Sequence, residues 1–339
     1  MGVLEARPAK NCSSEADCPA LWIVVPCYNE EAVLPETSKR LATKLDSLIA
    51  RGAVSRESRI LLVDDGSRDD TWHQIEALHV GQLKGVSTAP GVFCGLKLAH
   101  NAGHQNALYA GLMYARHQGC DCAISLDADL QDDINAIDEM VDCHRAGAEI
   151  VYGVRNNRDT DTRFKRGTAE AFYGLMHVLG VEMVSDSADY RLMGKRSLDA
   201  LAEFKEANLF LRGIVPSLGF TTAKVYYRRG ERFAGESKYP LKKMISFALE
   251  GITSFSIVPV RLITLIGVLA IVISAIMIIY ALVSLAMGRV VAGWTSLMVS
   301  VWLVGGLIMT SLGIVGEYVG RTYLEAKGRP RYIIDEVLD

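Results

Sequence analysis

The first 20 residues lack any apolar stretch. MGVLEARPAKNCSSEADCPA has no hydrophobic signal-peptide core, so no cleavable leader is expected. Ala6 stands where a myristoylation motif needs serine or threonine, and residues 1–20 are expected to form a mobile tail. The seven cysteines are odd in number and lack zinc spacing. Cys120 and Cys122, flanking Asp121 at a strand start, suit small buried side chains, and the set fits a reducing compartment. There is no basic excess: a net charge of −3 gives no sign of a nucleic-acid partner. Fixed-period repeats and low-complexity linkers are also missing. The most informative absence is of charge. None occurs in the 26 positions from Leu262 to Met287, nor in the 27 from Val290 to Gly316. Each run exceeds the roughly 20 residues a helix needs to cross a bilayer.

Two transmembrane helices are therefore expected, about 262–287 and 291–316. Lys242, Lys243 and Arg261 precede the first, Arg321, Lys327, Arg329 and Arg331 follow the second, and only Arg289 lies between. The positive-inside rule then puts both termini and the large N-terminal domain in the cytosol. The connection is short, which makes the pair a helical hairpin in a cell membrane. Gly316 and Gly320, four apart, permit close helix contact and self-association, or only relieve packing near a helix end.

Ahead of the membrane segment, strands alternate with helices. LWIVVP (Leu21–Pro26), RILLVDDGS (Arg59–Ser67), a short strand within Gly91–Leu98, CDCAISLDADL and EIVYGVR (Glu149–Arg155) are nearly continuous apolar runs. Helices are expected after the first two, from about Gln105 to Gln118, and over 134–147. This pattern predicts an α/β domain with a mostly parallel, Rossmann-like sheet covered on both faces. Beyond Arg155 we expect a helix from Arg166 to about Leu179, a short strand within Ser185–Met193 and a helix from Ser197. LKKMISFALEGITSF carries Leu241, Ile245, Leu249 and Ile252 on one side, an interfacial amphipathic pattern. The expected domains are 21–239 for the α/β domain, 240–258 for the interfacial helix, 259–320 for the hairpin and 321–339 for a cytosolic tail.

Three strands end in polar clusters: Tyr28–Glu31, Asp64–Ser67 and Asp127–Gln131. Parallel sheets bind ligands beyond such strand ends. In ISLDADLQDD, Asp127 and Asp129 are two apart and point the same way in an extended chain, so they can converge on one cation. Carboxylates suit Mg²⁺ or Mn²⁺, and Gln131 can add an amide oxygen. Helix capping is the alternative, and it is the expected role of Asp132 and Asp133.

The ordered set VVPCYNEE, LLVDDGSRDDT, HNAGHQNALYAGL, SLDADLQDD, DYRLM and RFAGESKYPLKKM, followed by a membrane hairpin, resembles the polyprenyl-phosphate glycosyltransferases. These are a branch of glycosyltransferase family 2 with the GT-A fold, and include dolichol-phosphate mannose synthase. GHQNAL and RFAGESKYPLKKM are most similar to the bacterial undecaprenyl-phosphate glucosyltransferases. The resemblance implies that Pro26, Tyr28 and Glu30 line a nucleotide site and that Asp65 meets the base or ribose. Capping is the competing role for Glu30 and Asp65. It further implies that His104 and Gln105 touch donor diphosphate or sugar, and that Asp127 and Asp129 hold the metal on the diphosphate. Arg155, Lys165 and Arg166 would bind acceptor phosphate, and the loop carrying Arg229, Arg232, Ser237 and Lys238 would close over both substrates. That loop could instead bind anionic headgroups. Asp189 would orient a substrate, with Arg191 paired to it or to another acid.

The implied reaction is inverting, metal-dependent transfer of one hexose to undecaprenyl phosphate, giving a β-linked product. UDP-glucose is the first-choice donor; GlcNAc, mannose or an aminoarabinose derivative are the alternatives. A phosphate monoester is already largely anionic at neutral pH, so the acceptor needs little help from a base. A processive polysaccharide synthase would carry Gln-x-x-Arg-Trp, which is missing. A non-catalytic scaffold, such as a flippase partner, would be favoured by loss of Asp127 or Lys238, and both are present.

Overall fold

The computed structural model describes residues 18–156, 187–206, 209–228, 230, scattered positions between 260 and 287, and 293–339. The expected helices at 166–179 and 240–258 lie outside the described residues, as does most of the first expected membrane span.

Eight described strands form one sheet in the order β7-β5-β6-β4-β1-β2-β3-β8. They are β1 Leu21–Cys27, β2 Arg59–Asp64, β3 Phe93–Leu98, β4 Cys122–Ser125, β5 Ile150–Arg155, β6 Ser187–Gly194, β7 Thr222–Tyr227 and β8 Ile334–Leu338. β1 is parallel to β2 and β4, β2 to β3, and β5 to β7. β6 runs antiparallel between β4 and β5, and β8 antiparallel along β3. Six of these strands thus share a direction, as the apolar runs predict.

Both faces of the sheet are covered, which is why every residue of β1 is buried. Helices α1 (Leu34–Ala50), α2 (Thr71–His79) and α4 (Ala136–Arg145) build the main core with Ile23, Val25, Ile60 and Leu62. The residues alternating with these, Val24, Leu61 and Val63, face α3 (His104–His117). Gly111 of α3 lies so close to Val24 and Val63 that a Cβ there would collide with both side chains. α5 (Lys195–Ala202) packs beside α3, and α6 spans Leu211–Ser217.

The C-terminal segment departs from expectation. Residues 334–338, read above as part of a tail, form an edge strand of the main sheet. Gly95 on β3 leaves the space that Leu338 and Ile75 fill. Lys97 lies 3.6 Å from Asp335, and Arg331 stacks on Tyr109 at 4.6 Å from the ring centre. Pairing along β3 gives the backbone of this segment its hydrogen-bond partners.

The chain divides into two compact units, and Pro330–Asp339 belongs to the one that holds the sheet. The other contains α7, Trp294–Ala326, a helix of 33 residues. At 1.5 Å per residue it is about 50 Å long, more than a bilayer's hydrocarbon core. Its segment Leu303–Ala326 is long and apolar enough to cross a membrane, and Leu303, Met309, Leu312 and Val319 on it are exposed.

Candidate active site

Because β1, β2 and β4 run the same way, their polar ends meet at one edge of the sheet. The first two are laced together. The Asn29 amide donates to Ser67 Oγ at 3.0 Å, the Arg68 amide to Asn29 Oδ1 at 2.9 Å, and the Glu30 amide to Thr71 Oγ1 at 2.9 Å. Asn29 takes a left-handed φ of 54°, a conformation asparagine tolerates, to make this turn. Pro26 is buried within β1, Glu30 is half-buried, and Tyr28 is 43% exposed. Of the three, Tyr28 presents most surface to a ligand.

Asp65 is only 3% exposed, and its carboxylate accepts the amides of Ala102 at 2.6 Å and Gly103 at 3.0 Å. Burial raises its pKa, with these amides working against the rise. Gly66, at φ +66°, backs so closely onto His100 and Asn101 that a Cβ would lie 2.7 Å from their backbone. The second strand end therefore sets the loop that launches α3.

His104, the first residue of α3, stands between two carboxylates. Its Nε2 is 3.6 Å from Asp127 Oδ1 and 3.6 Å from Asp189 Oδ2. Partial burial pulls the imidazole pKa down, but contact with Asp189 and the charge on Asp127 outweigh it, leaving a net rise. Asp189 lies on β6, 5% exposed, and is crowded with donors. Arg191 Nη2 reaches Oδ1 at 2.6 Å; Arg212 grips both oxygens, Nε to Oδ1 at 3.2 Å and Nη2 to Oδ2 at 3.0 Å. Gln105 donates to Oδ2 at 3.2 Å while accepting the Leu211 amide at 3.2 Å. Burial alone would raise the Asp189 pKa, but Arg212, His104 and Arg191 hold it well below the usual carboxylate range. Such a carboxylate is a poor base and a good anchor.

Asp127 is its opposite. Burial pushes its pKa up to about 6; His104 opposes this, while Asp189, Asp132 and Asp129 add to it. The next turn is tight: Asp129 Oδ1 accepts the Gln131 amide at 3.1 Å, and Leu130 sits at φ 58°, strained for a branched side chain. Among the described residues there is no group of three His, Cys, Asp or Glu side chains that could hold a metal. A crowded carboxylate beside a second one still fits a hard divalent cation that completes its shell with water and substrate phosphate. Asp127 and Asp129, with the Gln131 amide, are the residues that would hold it.

The family profile of glycosyl transferase family 2 matches residues 22–202, more than half of the chain. The chain belongs to glycosyl transferase family 2. This family 2 chain is 51% identical to the uncharacterized glycosyltransferase YkoT of Bacillus subtilis (strain 168), over 94% of its own length and 91% of that protein. It is 38% identical to a prophage bactoprenol glucosyl transferase homolog of Escherichia coli (strain K12), over 93% and 98% of the two chains. Among solved structures it is similar to glucosyl-3-phosphoglycerate synthase from Mycobacterium tuberculosis in complex with Mn²⁺, UDP and phosphoglyceric acid. That likeness is distant: 17% identity over 69% and 76% of the chains, with a TM-score of 0.42. As a family 2 member the protein is a glycosyltransferase.

Of the residues marked in the sequence, the structure gathers Asp127, His104, Gln105 and Asp189 around one point and pairs Arg191 with Asp189. Two others have protein partners of their own. Asp132 is no helix cap: α4 starts later, with Asn135 at its N-cap and no side-chain capping bond. Asp132 is buried, accepting from Tyr227 Oη at 2.5 Å and from Arg155 Nη2 at 3.2 Å. Arg155, expected on acceptor phosphate, also donates to Tyr227 Oη at 3.2 Å, and so ties β5 and β7 to the loop after β4. Asp133 accepts the Asn135 amide at 2.9 Å, a local turn ahead of the helix. Arg212 carried no sequence signal, since nothing in LFLRGIVPS marks one arginine for an aspartate 23 residues away. Lys165, Arg166, Arg229, Arg232, Ser237 and Lys238 lie outside the described residues. The Gly230 amide, inside the same basic loop, donates to Gln131 O at 2.8 Å.

Proposed function

We propose that this protein transfers one hexose, with UDP-glucose as first-choice donor, from a nucleotide sugar to undecaprenyl phosphate at the cytosolic face of a membrane. The observation that carries this reading is the His104-bridged pair of carboxylates at the strand ends of a family 2 chain. The acceptor is suggested by relatives named as bactoprenol glucosyl transferases, which match the chain over more than nine-tenths of its length, well past the profile. We read the domain as GT-A.

In this reading Tyr28 and Glu30 face the nucleotide, and Asp65 acts on the donor through the loop it holds. Asp127 and Asp129 would hold a divalent cation, which when bound would supply charge neutralisation to the donor diphosphate. His104 and Gln105 sit where diphosphate or sugar meets the acidic pair. Asp189 holds Arg212, itself one-third exposed, as a fixed cation at the edge of the centre. The acceptor's phosphate oxygen forms the new bond to the anomeric carbon as the bond to the diphosphate oxygen breaks, and the nucleoside diphosphate leaves. In-line attack inverts the centre and gives a β-linked lipid phosphate sugar. No base is required, in keeping with an Asp189 that is held by two arginines.

Membrane anchoring by a hairpin has support in connectivity. The chain leaves the sheet-bearing unit, contributes α7 to the other, and returns to add β8 beside β3. A segment whose ends both belong to one domain crosses a membrane an even number of times. Lys327, Arg329 and Arg331 after α7 favour a cytosolic side for that domain by the positive-inside rule.

The test incubates membranes containing the full chain with Mn²⁺ or Mg²⁺, undecaprenyl phosphate and a panel of radiolabelled nucleotide sugars. Metal-dependent labelled lipid with UDP-glucose is the expected result; no labelled lipid with any donor would refute the proposal.

A further inference from the structure

The side chain of Gln105 bonds to protein at both ends. It is the second residue of α3, next to His104, and is half-buried. Its Nε2 donates to Asp189 Oδ2 at 3.2 Å, and its Oε1 accepts the Leu211 amide at 3.2 Å. These partners fix which way the amide points, because the reverse would set oxygen against carboxylate and N–H against N–H. Neither glutamate nor lysine could do the same at neutral pH: the first brings no donor, the second no acceptor.

Leu211 opens α6, whose N-cap residue, Phe210, makes no side-chain capping bond. The first amides of a helix find no partner within it, and Gln105 supplies one from a different helix. The Leu211 carbonyl accepts Arg191 Nη1 at 3.2 Å, so both backbone groups of this residue, 1% exposed, are tied to partners of Asp189. Arg212 follows directly and returns to the same carboxylate, Nη2 to Oδ2 at 3.0 Å. Gln105, Leu211, Arg212 and Asp189 thus close a ring. An arginine side chain loses much conformational freedom when it is held, and fixing the backbone just ahead of it removes part of that freedom in advance.

We propose that Gln105 is a positioning residue, which acts on the transfer through Arg212 by setting where α6 begins relative to Asp189, and not by contact with the donor. What Arg212 does in turnover rests on the proposed function; the clamp on Leu211 does not. A cation fixed beforehand costs no reorganisation as charge moves during the transfer.

The test uses the full chain in nanodiscs, with Gln105→Met, Arg212→Met and the double variant. Methionine keeps the length of glutamine without its hydrogen bonds, and Asp189 retains both arginines, so Gln105→Met is expected to fold. In that variant amide hydrogen exchange over residues 209–217 should quicken by about tenfold, the scale of one lost hydrogen bond, with β1 unchanged. With UDP-glucose and undecaprenyl phosphate, kcat should fall about tenfold while the donor KM stays within about twofold. Arg212→Met should cost about a hundredfold. Adding Gln105→Met to it should cost less than about twofold more, since a residue that acts through Arg212 then has nothing to act on. Losses that multiply in the double variant would overturn the proposal. So would a rise in donor KM with kcat unchanged, which would mark direct contact with the donor. Unchanged exchange over 209–217 would overturn the clamp itself. Should the wild type glycosylate no lipid, the proposed function fails and the catalytic half of this inference with it, whereas the exchange measurement still decides whether Gln105 holds α6.

Discussion

Asp127 and Asp189 lie at the same 3.6 Å from one imidazole nitrogen, in opposite electrostatic surroundings. Asp189 is saturated by Arg191, Arg212 and Gln105. Asp127 has His104 for company, and otherwise Asp129, Asp132 and Asp189 raise the cost of its charge. The first is a completed structural anchor; the second is a charge that a bound cation would complete. The difference teaches that a carboxylate's role follows from what already surrounds it, and that His104 joins the finished half of the site to the unfinished one.

The comparison breaks most readily at Asp127. Asp127→Asn should lower turnover by about a thousandfold or more, measured as labelled lipid, if the carboxylate holds the catalytic metal. Its melting temperature should not fall, because a crowded charge has been removed, and the rise that Mn²⁺ produces in the wild type should vanish. Full turnover in this variant would refute the metal assignment.

Asp189→Asn should do the reverse in stability. It leaves Arg191, 3% exposed, without its counter-charge, a loss of about 3–5 kcal/mol by denaturant titration. A variant as stable as the wild type would mean that the arginines are held by something else.

Acid should then separate the two carboxylates further. The folded-state pKa of Asp189 is depressed, so its contribution is complete above the unfolded value of about 3.9 and is lost as pH falls through the folded value. Melting curves from pH 7 to pH 3 should show a steep fall below about pH 4. Asp189→Asn should flatten that part of the profile; an identical slope in both proteins would place the acid sensitivity elsewhere.

The smallest effect is expected in the third carboxylate cluster. Tyr227→Phe removes the hydroxyl shared by Asp132 and Arg155, but the direct contact between those two at 3.2 Å remains. We expect a loss of about 1–2 kcal/mol in stability and turnover within about twofold. Burial and Asp132 push the Tyr227 pKa well above its ordinary value, so it stays a donor and the loss should not vary across neutral pH. A large drop in turnover would move this clamp into the catalytic machinery.

Much of this was legible in the residues. Continuous apolar runs marked a sheet buried on both faces, and acids at strand ends marked its polar edge, because burial and the two-residue strand period act locally. The charge-free run that became α7 was visible for the same reason: length and composition alone decide whether a helix can span a bilayer. The DADLQDD stretch shows where local pattern stops. Asp127 and Asp132 sit five residues apart in an acidic run, and nothing nearby says that one meets His104 while the other takes Arg155 and Tyr227.

Pairings across long sequence separations carry no period and no spacing. Asp189 with Arg212 and Gln105, His104 between two acids, and IDEVL along β3 are of this kind. The sequence by itself determined which elements form and which edge of the sheet is polar. Only the tertiary structure decided which carboxylates are neutralised, since the energy of a charge depends on the partners and solvent that folding leaves around it.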